Sequence, residues 1–420
     1  MVLGMTSLTS LAQGDELETN GFIEIRLGTR TQNDPNEKEE SIDEARLQIE
    51  TEKEFDQLTL NLVADVVYDP VMDNHDVDLD TGEGAIDLRQ ANILFSPLSY
   101  VDMKIGRQIL TWGTGDLVFI NDLFAKDWNA FLIGRDDEYL KAPTDAIKSS
   151  LFFNALNIDI VYIPRFGADR YIDGKRNSFY DRSSSSFRGR DNPLVTDKPD
   201  DWFNNDELSL RLYRSIGVNE AAFYYYNGYW KSPAGQDNVT GKAMFPRLEV
   251  FGASFRRPIA KGIGNIEVGH YKSNDNAAKN PLIRNSEFRF LLGYEQELAT
   301  EFTSGIQYYL ERKLDYDEYT RSLLSGSFPD DENRHLITLR LTKLMMQQDL
   351  KLMLFNFYSP SDKDGHLRFN VSYKMSDSTK IEAGWNHFYG EKLYTFFTQF
   401  ENNSNIYFSI RHEFTGLAQH

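Results

Sequence analysis

The sequence predicts an all-β fold: a closed transmembrane antiparallel β-barrel of about 18 strands, both termini on the periplasmic side. Three observations carry the prediction. The stretch 405–414, NIYFSIRHEF, alternates strictly in polarity; the same pattern recurs along the chain; and the breaks between repeats are short and long in turn. Mean hydropathy is −0.50, and no run approaches the ~20 apolar residues of a membrane helix. Alternation is how a barrel hides its lipid face from such an average.

In the terminal stretch one side reads Ile406, Phe408, Ile410, His412, Phe414 and the other Tyr407, Ser409, Arg411, Glu413. One face suits an apolar medium, and the other, carrying full charges, suits water. The stretch resembles the C-terminal signal strand of bacterial outer-membrane barrels, which ends on an aromatic. The barrel is assigned to 20–414. Residues 1–19 read as the remnant of a signal peptide, with Ser10-Leu11-Ala12 suited to a signal peptidase. Residues 415–420 read as a short tail.

The repeats begin at 21–29, where Ile23, Ile25 and Leu27 oppose Glu24 and Arg26. At 44–52, Ala45, Leu47 and Ile49 oppose Arg46, Gln48 and Glu50, and at 58–68 five aliphatic residues oppose Thr59, Asn61 and Asp65. Later repeats keep the grammar: Phe288, Phe290, Leu292 and Tyr294 against Arg289 and Glu295; Ile337, Leu339 and Leu341 against Thr338 and Arg340; Leu367, Phe369, Val371 and Tyr373 against Arg368. Short breaks (53–56, 96–99, 154–157, 216–219, 258–262, 298–300, 345–348, 375–378) take turns with long ones (31–41, 69–85, 112–144, 166–203, 231–244, 273–285, 314–332, 359–365, 390–404). Tight periplasmic turns and long outer loops are the habit of outer-membrane barrels. Tyr68, Tyr100, Tyr294, Tyr308, Tyr358, Tyr373 and Trp385 fall near strand ends, where interfacial girdles form.

Composition narrows the function classes. Cysteine is absent, which excludes disulfides, thiolate catalysis and Cys-ligated metal centres. A net charge of −19 argues against nucleic acid as a partner. Seven histidines are scattered without paired metal-ligand spacing, so an enzyme reading is disfavoured.

The clearest local signature is 106–116, GRQILTWGTGD. Gly-Arg-Gln followed by Trp-Gly resembles the strand-and-loop motif of large outer-membrane porins, among them alginate-export-type porins and related uncharacterised barrels. The resemblance implies an 18-stranded channel in the bacterial outer membrane. It also implies the lipid bilayer, lipopolysaccharide, the barrel assembly machinery and a small or polymeric solute as partners. Alginate-type exporters serve a polyuronate through an Arg-rich pore, which implies anionic cargo here if the arginines are uncompensated.

Segment 112–144 is too apolar for an exposed loop, with Leu117, Val118, Phe119, Ile120, Phe124 and Phe131 among its residues. Either it folds into the barrel mouth or it packs on neighbouring loops outside. Folded inward it would form a constriction and bring Trp112, Asp116, Asp122, Lys126, Asp127 and Trp128 to the solute path. Alternation points Arg26, Arg46, Arg211, Arg289, Arg340, Arg368 and Arg411 inward, with Glu24, Glu50, Glu267, Glu295, Glu382 and Glu413. Rings of fixed charge filter ions; opposite charges on adjacent strands instead neutralise each other and brace the wall. Both readings stand at this point. Asp76, Asp78 and Asp80 alternate ahead of Gly82 like the start of a calcium loop, although Thr81 holds the sixth position where Gly is required. Calcium is therefore the one cofactor to test, against a solvated acidic loop. The expected function is passive passage of a hydrophilic solute; the alternative is a barrel scaffold or secretion partner without general pore activity.

Overall fold

The structure, a computed structural model, describes residues 18–72, 75–275 and 277–416. The part of the expected signal-peptide remnant before residue 18 and residues 417–420 of the expected tail lie outside the described residues.

Eighteen strands form one sheet. In chain order they are β1 Glu18–Arg30, β2 Glu40–Phe55, β3 Leu58–Tyr68, β4 Ile86–Leu98, β5 Val101–Ile109, β6 Pro143–Phe152, β7 Asn157–Ile163, β8 Glu207–Ile216 and β9 Asn219–Tyr229. The second half continues with β10 Arg247–Ile259, β11 Gly262–Ser273, β12 Glu287–Ala299, β13 Phe302–Lys313, β14 Asn333–Met345, β15 Leu350–Ser359, β16 Asp364–Lys374, β17 Thr379–Tyr389 and β18 Asn405–Thr415. Each pairs antiparallel with its sequence neighbours. β1 also pairs with β18, Ile25 opposite Ile410 and Gly21 opposite Phe414. The sheet therefore closes with no free edge, which a strand structure in lipid requires because every backbone polar group must find a partner.

Alternation places the two faces as the sequence foretold. Ile23, Ile25 and Leu27 are 53%, 49% and 49% exposed, whereas Glu24 and Arg26 between them are 2% and 0% exposed. The outer face is a band of aliphatic side chains, with Tyr68, Tyr100, Tyr308, Tyr358 and Trp385 exposed on it. A closed antiparallel barrel with such a belt is the transmembrane fold of the bacterial outer membrane. Two details lay beyond the periodicity. A bulge at Val63/Ala64 breaks the β3–β4 register. It turns Arg89 inward beside Gln90, as bulges re-aim side chains.

The eight connections at one end hold at most four residues each, and eight of the nine at the other are longer. The exception is the connection expected as a long loop at 359–365. Ser359 pairs with Asp364, so only 360–363 join β15 to β16. The long loops carry little regular structure: helix α1 Trp128–Ile133, helix α2 Tyr316–Ser322, short 3-10 turns and five two- or three-residue strands. The apolar core lies inside the barrel, where Val118, Ile120, Phe131 and Leu132 of loop 110–142 pack on Tyr226, Leu248, Val250, Leu291, Phe355 and Phe357 of the wall.

Candidate functional site

Loop 110–142 leaves β5, crosses the lumen and returns to β6, touching nearly the whole circumference on the way. At its start Leu110, Trp112 and Phe124 pack on Ala146, Val161, Ile163, Ala222 and Tyr224 of β6, β7 and β9. The chain then wraps a carboxylate. Glu267 of β11 is buried, and its oxygens accept from the backbone N–H of Thr114, from that of Gly115 (2.9 Å), and from the N–H (3.3 Å) and side-chain amide (3.0 Å) of Asn121. Gly113 sits at φ +84, a left-handed conformation that costs a glycine nothing, and a Cβ there would stand 3.1 Å from the Glu267 carboxylate. Next, Gln307 of β13 clasps the backbone of Asp116, accepting its N–H at 2.7 Å and donating to its C=O at 2.8 Å. The Asp116 carboxylate pairs with Arg340 of β14 at 2.7 Å.

The second half of the loop is pinned by charge. Asp127 caps α1, accepting the Ala130 N–H at 2.8 Å, and pairs with Arg170 at 3.3 Å. Gly134 ends the helix at φ +82, close against the Tyr407 ring, and its carbonyl accepts from Arg26 at 2.6 Å. Asp136 then meets Arg26 (2.7 Å), Arg411 (2.9 Å) and Lys380 (3.1 Å), Asp137 meets Arg368 (3.1 Å), and Glu138 meets Arg411 (3.1 Å). Arg135 pairs with Glu44 at 2.5 Å. The buried Tyr139 ring lies between the guanidinium groups of Arg46 and Arg89, 4.4 and 4.6 Å from its centroid, while its hydroxyl donates to Asp65 at 2.8 Å.

Each of the seven inward arginines named from alternation thus has a carboxylate partner. Arg26 pairs with Glu24, Asp136 and Glu382; Arg46 with Glu44 and Asp65; Arg211 with Asp159; Arg289 with Glu287. Arg340, Arg368 and Arg411 hold the loop acids described above. The bracing geometry is present throughout the set. Glu24 and Glu382 belong to the same networks, whereas Glu50 and Glu295 are exposed. Glu295 lines a chamber under the loop.

Of the six residues expected at a constriction, Asp116 is the one acid that keeps an open side chain, 37% exposed. Asp122, Lys126 and Asp127 are buried, so the expectation that they stand beside passing solute does not hold in this geometry. Lys126 pairs with Asp122 at 2.9 Å and lies 4.8 Å from the Phe119 ring centroid. An ion pair taken out of water needs every partner it can find, and the loop supplies them internally. Trp112 is buried against the wall, and the Trp128 indole N–H donates to Asp169 at 3.0 Å.

Asp78 and Asp80 of the acidic segment are engaged within the protein. Asp78 accepts from the N–H of Asp80 and Thr81 and from the Thr81 hydroxyl, closing a tight turn; Asp80 pairs with Arg165 (3.1 Å) and Lys198 (3.0 Å). Asp76 lends its backbone carbonyl to the Ala85 N–H. Among the described residues no group of three or more His, Asp or Glu side chains converges as metal ligands would. The Asp78 side chain is thus spent on its own turn and that of Asp80 on neighbouring cations.

Two sizeable chambers are present, one against the loop and one among the other long loops and the strand ends they join. The inner one, about 770 Å³, is lined by Thr111–Leu117 together with Asp137, Glu138, Gln307 and Arg340. The outer one, about 810 Å³, is lined by Arg284, Lys313, Tyr319, Arg334, Tyr394 and Phe396 among others. Sequence reading placed Glu267 among the lumen charges, as a filter or a wall brace, but gave it no part in holding the loop, and it passed over Asp136 and Gln307. Alternation could assign Glu267 and Gln307 to the inner wall; it carried no signal for which loop atoms they hold.

No family model and no curated protein sequence matches the chain. Solved structures do. OccAB1 of Acinetobacter baumannii has a TM-score of 0.56 at 10% identity, the match covering 98% of this chain and 100% of that one. OccK2 (OpdF) of Pseudomonas aeruginosa also scores 0.56 at 10% identity, covering 96% and 99%. OccK5 (OpdH) of the same organism scores 0.55 at 9%, covering 96% and 98%. At such identity the likeness is one of fold. It agrees with the resemblance to outer-membrane barrels of the porin type, but not with the alginate-export type in particular.

Proposed function

We propose that the protein is a passive outer-membrane channel for a hydrophilic solute, narrowed by loop 110–142, and not an enzyme. The carrying observation is the loop itself: it crosses an 18-stranded barrel, a size that encloses an aqueous lumen, and leaves beside it a chamber lined by its own residues 111–117 and by wall side chains. A scaffold has no use for a lumen partitioned by a pinned, charge-bearing loop. A filter does, because fixed charges and apolar constrictions are how pores select. The likeness to Occ barrels along nearly the full length of both chains supports the same reading. Against catalysis stands the placement of the histidines. His366 is buried among Phe131, Phe357 and Phe388. His335 bonds Tyr308 and His412 bonds Thr379 on the outer face.

The remaining partners follow from the setting: lipid and lipopolysaccharide around the belt, and the barrel assembly machinery acting on β18. The test is conductance of the purified, heat-modifiable protein in a planar bilayer. Discrete channel openings that a permeant solute attenuates are expected. A folded barrel that leaves the bilayer silent would overturn the channel reading and return the scaffold alternative.

A further inference from the structure

Most charged residues facing each other across neighbouring strands of the inner wall are opposite in sign. Glu24 stands opposite Arg46 on one side and Arg411 on the other, Arg26 opposite Glu44, Asp159 opposite Arg211, and Arg289 opposite Glu311. The β5–β6 pair breaks this order. Lys104 stands directly opposite Lys148. The next pair along, Ile105 and Ile147, is 37% exposed on both sides to lipid, so both lysines point into the barrel. Like charges set opposite each other on a sheet are destabilising. The inward pair Lys380 and Arg411, also of one sign, is relieved because both share Asp136. Among the described residues no carboxylate does this for Lys104 or Lys148. The polar contact of Lys104 is the side-chain oxygen of Gln90 at 3.3 Å, and Gln90 lines the inner chamber. Glu52 of β2 acts on Lys104 from a distance without pairing with it.

We infer that Lys104 and Lys148 form an oxyanion subsite on the inner wall, between the lumen loop and the periplasmic turns, that takes the carboxylate or phosphate group of a permeating solute. The inference rests on the channel reading and adds the sign and place of its selectivity. Cross-strand Cβ atoms lie about 5 Å apart, so two ammonium groups bracket one oxyanion, three donors from each side. Both side chains are half-buried, which weakens screening by water and makes an arriving anion the missing partner of each. The arginines cannot serve in the same way, because their carboxylates are already in place.

Two measurements test the subsite separately from the channel. In the first, Lys104 and Lys148 of the folded protein are acylated with an amine reagent and quantified by mass spectrometry in chloride, acetate or inorganic phosphate. Protection of both lysines by acetate or phosphate relative to chloride is expected. Preference between the two identifies carboxylated or phosphorylated solutes as the source. Equal acylation in all three salts overturns the subsite whether or not the barrel conducts. In the second, the reversal potential in a KCl gradient is compared for the native channel, for Lys104→Gln with Lys148→Gln, and for Lys351→Gln, which removes one lumen charge elsewhere. The double variant should lower the chloride-to-potassium permeability ratio roughly threefold or more, and the comparator should lower it far less. An equal shift in both, or none in the double variant with its openings intact, overturns the lysine pair while leaving the channel standing.

Discussion

Replacing Glu267 by Ala should release the first half of the lumen loop. Its carboxylate takes hydrogen bonds from three backbone N–H groups and one side-chain amide of residues 114–121, all in a buried setting. A hydrogen bond to a charged group contributes about 1.5–3 kcal/mol. Desolvating the carboxylate offsets several kcal/mol of that sum. The net preference for the closed loop is then on the order of 3 kcal/mol, and at about 1.4 kcal/mol per decade its loss shifts the closed-to-open ratio by about two orders of magnitude. The contacts of Asn265 and Gln307 to Thr114 and Asp116 remain, so the segment loosens rather than leaves. Single-channel recording should show larger mean conductance and added open-channel noise, with heat-modifiable migration unchanged. Glu267→Gln, which keeps one acceptor oxygen, should fall between. Native conductance and quiet openings in Glu267→Ala would refute the clamp and place the narrowing elsewhere.

Three further outcomes are expected. Leu339→Arg on the lipid face should cost about 2–4 kcal/mol, whereas Ser372→Arg, on the inner wall opposite Glu382, should be mild; equal midpoints in urea unfolding would mean the faces are misassigned. Phe414→Ala should lower the yield of folded barrel far more than removal of residues 416–420, because Phe414 faces Gly21 at the seam that closes the sheet; unchanged yield on a gel-shift assay would remove the seam's importance. The outer loops should respond to pH in opposite senses. Burial pushes the Glu37 carboxyl up to about 7 despite Arg30 and Arg190, so the stability it contributes is full below its ordinary 4.5 and is lost as pH rises through about 7. For Asp330, burial is outweighed by Lys313 and Arg182, which hold it at about 2, so its contribution is present above 3.8 and lost as pH falls through about 2. Hydrogen exchange should show 31–39 better protected at pH 4.5 than at pH 7; protection that is flat or rises over that range would contradict the sign.

The barrel was legible because lipid imposes a local rule. Every second residue of a strand must tolerate hydrocarbon, and that constraint is written residue by residue, as Ile23, Ile25 and Leu27 show. Turn lengths are equally local. The site was legible only in part, because it is made by pairings distant in sequence. Arg26 and Asp136 are 110 positions apart, and Asp116 and Arg340 are 224 apart. Alternation said that Arg26 points inward; it could not say that a loop acid waits there. The same limit explains the misplacement of Asp122, Lys126 and Asp127. Charges on a loop read as solvent-facing until packing shows them paired beneath Phe119 and α1. The tyrosine slotted between Arg46 and Arg89 depends on a register bulge that periodicity does not record.

These pairings make the loop a determinant of the pore's charge as well as its width. Asp116, Asp136, Asp137 and Glu138 neutralise Arg340, Arg26, Arg411, Lys380 and Arg368 on five different strands. Exchanging 117–131 for a Gly-Ser linker removes the apolar plug and spares all four acids. Conductance should then rise while ion preference weakens, since the same charges line a wider opening. Exchanging 113–140 removes the acids as well. Arg340 and Arg368 then lose their partners, and Arg26 and Arg411 keep only wall carboxylates. Buried cations stripped of a partner destabilise by about 3–5 kcal/mol each unless water reaches them, and here the opened lumen supplies the water. The longer exchange should therefore fold, at lower stability, into a wide pore whose reversal potential moves toward that of chloride. If both exchanges move the reversal potential in the same direction and by the same amount, the loop's acids do not set the field in the lumen, and its contribution is steric alone.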